Sequence, residues 1–92
     1  MNKTMFEFML EEHFEDFELG DAIQVFDNYI YFEFQKNGGN RKMRIPFFFD
    51  YFQRALELYE ADPEKRNFYI AANMSMIKTE ILKKLLDLKE EN

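Results

Sequence analysis

The chain has 92 residues, which suits one domain, and no cysteine, which excludes a disulfide framework and thiolate chemistry. Its net charge of −6 lies entirely in residues 1–21, where seven acids face Lys3; beyond them eleven acids and eleven bases cancel. That imbalance disfavours binding of a nucleic-acid backbone by the N-terminal end, and 47% hydrophobic residues argue against disorder. Twelve Phe and five Tyr supply the buried area that so short a chain needs, and six Met can fill gaps between them.

The first residues carry one Lys followed by alternating acids and aromatics, a pattern unlike a signal peptide. Apolar runs are only a few residues long, so no membrane span is expected and the cytoplasm is the default compartment. Thr4 to Glu7 reads Thr-x-x-Glu, a capping box that predicts a helix start. Phe6, Leu10, Phe14 and Phe17 then recur at helical spacing, with Met9 and His13 flanking the stripe. Gly20 suits a left-handed position after the last turn, so the first helix is expected over about residues 4–19. Its other faces are acidic. Glu15, Asp16 and Glu18 would sit at its C-terminus, where the helix dipole prefers cations, so local stability does not explain them.

Three strands are expected next, as an antiparallel meander. Residues 22–26 read AIQVF, and Asp27-Asn28 can turn in two residues. Residues 29–35 place Ile30, Phe32 and Phe34 on one face and Tyr29, Tyr31 and Glu33 on the other. KNGGN at 36–40 is a turn, and 41–45 alternates Met43 and Ile45 with Lys42 and Arg44. A rival reading joins residues 22–35 into one long bent strand. Pro46 ends the third strand and suits the first turn of a second helix, over about 47–60. Asp62 as N-cap and Pro63 at the first helical position then open a third helix, reaching about residue 89 and on the order of 40 Å long. A kink near Asn73-Met74-Ser75 would fit the weak helix preference of Asn and Ser. The fold class is therefore α+β, a three-stranded antiparallel sheet with one helix before it and two after (α-β-β-β-α-α).

Chemistry-bearing patterns are sparse. The only Ser is Ser75 and the only His is His13, with no nucleophile motif around either. Glu12, His13 and Asp16 lack a metal-ligand spacing, so neither enzyme, metal nor cofactor is expected. Three surfaces remain. Glu11, Glu12, Glu15, Asp16 and Glu18 form an acidic face that either keeps a Phe-rich protein soluble or meets a basic partner. Tyr29, Tyr31, Lys42 and Arg44 share the outer sheet face; they either cover it by cross-strand pairing or hold a nucleotide. The third helix is apolar on more than one side, with Leu82 and Leu86 beside the Ile77, Ile81, Leu85 and Leu88 stripe. Either the other helices or a second copy of the chain would bury the excess.

Small size, acidity, the α-β-β-β-α-α order and the lack of a catalytic group together resemble small phage-encoded inhibitors. Acidic anti-CRISPR proteins that block the DNA-binding groove of a CRISPR nuclease are one example. The resemblance implies a non-enzymatic protein-binding inhibitor of a basic, nucleic-acid-binding enzyme. Those inhibitors often carry acids on several elements, whereas here the surplus lies on the first helix. The alternatives are a nucleotide-binding or sequestering module, dimeric through the third helix, and a non-catalytic subunit of a larger assembly.

Overall fold

A computed structural model describes residues 1–15, 19–36 and 39–90. The chain runs α1 (Lys3–His13), β1 (Leu19–Val25), β2 (Tyr29–Lys36), β3 (Gly39–Pro46), α2 (Phe49–Leu58) and α3 (Pro63–Glu90). The three strands form one antiparallel sheet in the order β1-β2-β3. Asp27-Asn28 does make a two-residue turn: Val25 pairs with Ile30, and the Phe26 amide donates to the Tyr29 carbonyl at 2.9 Å. The long bent strand is thereby ruled out. Among the described residues no helix is long and apolar enough to cross a membrane.

Alternation sends Ile23, Val25, Ile30, Phe32, Met43 and Ile45 to the inner face, all buried. The helices cover that face, α1 lying against β1 and α3 against β3. The side chain of Phe34, expected on the same face, lies outside the described residues. From α1 and its C-cap come Phe6, Leu10 and Phe14; from α3, Met74, Ile77 and Ile81. The segment into α2 adds Phe47, Phe49, Phe52 and Leu56. Phe6 sits at the centre of an aromatic cluster, its ring 4.8 Å from Phe52, 5.3 Å from Phe47 and 5.9 Å from Phe49. Burying one such side chain stabilises the fold by roughly 1.5–3 kcal/mol.

The hairpin tip clasps this segment. Asn28 and Asp27 carbonyls accept from the Phe47 and Phe49 amides at 3.2 Å, and Lys3 pairs with Asp27. These bonds satisfy amides that precede the first intrahelical bonds of α2, whose N-cap Phe48 has no capping side chain. Pro46 is accordingly the last residue of β3, opposite Tyr29, and not part of the α2 first turn. An edge strand tolerates a residue without an N–H. Asp62 caps α3 as expected, its carboxylate accepting from the Lys65 amide at 3.2 Å, and α3 runs unbroken through Asn73-Met74-Ser75.

Two boundaries of α1 differ from the sequence reading. Its N-cap is Asn2, whose side chain accepts from the Met5 amide at 2.8 Å, so Thr4 to Glu7 is not a capping box. Its last helical residue is His13, and the Phe14 cap closes onto the Leu10 carbonyl. Gly20 belongs to β1, within the register irregularity between Leu19 and Ile23, a strand role for glycine rather than a helix cap. Strand pairing of Leu19 with Phe34 and the dipole penalty on C-terminal acids both act against a longer helix.

Phe6→Ala is expected to cost about 3–5 kcal/mol, because it opens a cavity among three rings. Phe8→Ala, two residues on and exposed, should change stability by no more than about 0.5 kcal/mol. Urea denaturation of both variants checks the contrast.

Candidate functional site

Since Phe6, Leu10 and Phe14 point inward, the residues near 100° per step on the other side of α1 must point out. Met5, Phe8, Glu11 and Glu12 do so, and Glu15 follows one residue after the cap, also exposed. Phe8 is 65% exposed, with Glu11 and Glu12 three and four residues along the same face. The ion pairs among the described residues are Lys3–Asp27, Lys65–Asp62 and Lys83–Glu80. Glu11, Glu12 and Glu15 thus have no cationic partner there. Asp16 and Glu18, expected on the same helix face, lie outside the described residues, and α1 ends before them.

Glu7 differs from its acidic neighbours. β1 is an edge strand, and Phe26 uses its amide across the hairpin, so the Val25 amide one residue back points away from β2. Glu7 Oε1 accepts that amide at 2.8 Å. One carboxylate of the acidic segment therefore closes the sheet edge that α1 covers, which also blocks strand addition at that point.

His13 is exposed and meets Phe14 edge-on at 5.1 Å. With Met9 and Glu12 it lines a groove of about 440 Å³ against Asn67, Ile70, Ala71 and Met74 of α3. That lining includes no Ser, Thr, Cys or Lys to act as a nucleophile. Among the described residues no three His, Cys, Asp or Glu side chains are grouped to hold a metal ion.

On the outer sheet face, Tyr31 pairs with Arg44 and Glu33 with Lys42. Tyr31, Lys42 and Arg44 line a groove of about 480 Å³, to which α3 contributes Lys84 and Asp87. Tyr29 is not part of that lining. Its ring stacks on Phe26 at 4.8 Å and lies 5.1 Å from the Arg44 guanidinium carbon, a packing role.

Sequence periodicity alone would have found Phe8, which is two residues off the Phe6–Leu10 stripe. The arrival of Lys84 at the sheet depends on helix packing and has no local signal. In comparisons with known proteins, no family model, no curated protein and no solved structure matches the chain.

Glu7→Ala is expected to destabilise by about 1–3 kcal/mol, since it strips the Val25 amide of its acceptor. Glu11→Gln and Glu12→Gln should stay within about 0.5 kcal/mol of the native chain. Chemical denaturation measured side by side separates the structural carboxylate from the exposed ones.

Proposed function

We propose that the protein is a non-enzymatic binding module that engages a basic protein surface through the outer face of α1. The observation that carries this reading is Phe8, exposed and set beside carboxylates that pair with no cation among the described residues. An exposed aromatic ring with a charged surround is the make-up of an interface hot spot: the ring supplies the desolvated centre and the charges steer encounter. A helix held rigidly by Phe6, Leu10 and Phe14 presents both without an ordering cost.

The partner chemistry follows from the charge. Lys and Arg that bind phosphates are the natural complement of Glu11, Glu12 and Glu15, so the module suits inhibition of a nucleic-acid-binding enzyme, as the resemblance to phage-encoded inhibitors implies. Tagged protein should capture a basic partner from a host lysate at low salt and release it at high salt. Charge reversal at Glu11, Glu12 and Glu15 should abolish capture with the fold intact. Phe8→Ala should weaken binding roughly 10- to 30-fold. Capture that is indifferent to all four residues contradicts the reading.

A second reading rests on a separate observation, the convergence of Lys84 on Tyr31, Lys42 and Arg44. A ring beside three cations suits a nucleotide, the base stacking and the phosphates pairing. Glu33 and Asp87 temper that charge, which ranks this reading second. A ligand that binds only the folded state raises the melting temperature, so a thermal-shift panel of linear and cyclic nucleotides decides it. Stabilisation lost in Lys84→Ala would favour this groove; no shift with any nucleotide would remove it.

A further inference from the structure

We propose that α3 pairs with α3 of a second copy, antiparallel, about a two-fold axis passing beside residue 77. The inference goes beyond the α1 reading and does not depend on it. The inward side of α3 is spent on the core through Met74, Ile77 and Ile81. On the opposite side Phe68, Ala72, Ser75, Thr79, Leu82 and Leu86 are all exposed, at successive spacings of four, three, four, three and four. That alternation is the heptad spacing of a helix seam. Phe68 is 76% exposed, Leu82 42% and Leu86 59%, and Met76 beside the seam 51%. Helices on the surface of a monomer usually turn charged residues to this side.

The seam is self-complementary when reversed. With the axis beside residue 77, Phe68 meets Leu86, Ala72 meets Leu82 and Ser75 meets Thr79 of the other copy. Ala72 is thereby filled by Leu82, and the small Ser75 and Thr79 at the crossing let the helices approach closely. The Thr79 hydroxyl is already bonded to the Ser75 carbonyl at 3.0 Å, so its methyl is the part left to face a neighbour. A parallel pair would instead set Ala72 against Ala72 and Leu82 against Leu82, losing the match of small to large residue. It would also place Lys78 beside Lys83 twice, whereas the antiparallel pair brings together only the two Lys78 side chains.

Exposed apolar area along this side amounts to roughly 500–600 Å² per copy on ordinary side-chain areas. Doubled, it comes to about 1,000–1,200 Å², at or just below the lower bound of stable interfaces. The area fits a pair that forms and dissociates with concentration, built from monomers that fold on their own core.

Sedimentation equilibrium of the full chain from roughly 10 µM to 1 mM tests the proposal. A monomer–dimer equilibrium is expected, and Leu82→Lys with Leu86→Lys should abolish it while leaving the far-UV circular dichroism unchanged. A native chain that stays monomeric throughout, with its seam left for some other protein, overturns the proposal, as does a double variant that still dimerises. Lys78→Glu tests the register. In the antiparallel pair its homodimer keeps a like-charge contact, while an equal mixture with the native chain should associate about two- to fivefold more tightly than either alone. A Lys78→Glu homodimer tighter than the native one would show the parallel arrangement and overturn this geometry.

Discussion

The burial of Phe6 among Phe47, Phe49 and Phe52 is the contact on which the arrangement of this protein depends. It joins the first helix to Phe47, just after the sheet, and to the first turn of α2, residues distant in sequence. Around it the hairpin tip grips the same segment through two backbone bonds, and Gln53 reaches back to the Met1 carbonyl at 2.9 Å. Lys3 adds an exposed ion pair to Asp27, which contributes little by itself. With α1 fixed in this way, every other position on it has a determined direction. Phe8 and Glu11 are outward because Phe6 and Leu10 are inward.

This geometry also divides the acids of the N-terminal segment by task. Glu7 sits next to Phe6 on the side that meets β1, and there it accepts an edge amide that water would otherwise hold. Glu11, Glu12 and Glu15 carry no such duty, and they crowd one sign of charge where neighbours repel within the screening length of about 8 Å. Mixed charges would have served solubility without that repulsion. The basic partner proposed above would offset that repulsion. Ending the helix at His13 keeps Glu15 out of its last turn, where a carboxylate would have opposed the dipole.

Much of the fold was legible because its signals are local. Alternation of Ile30 and Phe32 against Tyr29 and Tyr31, the turn at Asp27-Asn28, and Asp62-Pro63 ahead of an uninterrupted helix each act over a few residues. The end of α1 was not legible, because the competitor to helix there is pairing of Leu19 with Phe34, fifteen positions away. Gly20 fits either outcome. For the same reason Thr4 and Glu7 matched a capping pattern, yet Asn2 holds the cap and Glu7 serves a strand. Of the candidate site, the acids were visible as composition, whereas Phe8 was missed although it falls off the Phe6–Leu10 period. The split of the outer sheet face, with Tyr29 packed under Arg44 and Tyr31 left to a groove with Lys84, is a product of register and helix packing combined.

The chain thus has a two-sided first helix, one side spent on stability and the other left free, and the same division recurs on α3. The most direct test is amide hydrogen exchange at Val25, followed by NMR in the native chain and in Glu7→Ala. If α1 is locked to the sheet edge through Phe6 and Glu7, Val25 exchanges only by near-global opening in the native chain, and its protection drops selectively in the variant while Ile30 and Phe32 stay protected. Rapid exchange at Val25 in the native chain, or protection that survives loss of the carboxylate, would contradict that lock and with it the fixed outer face of α1.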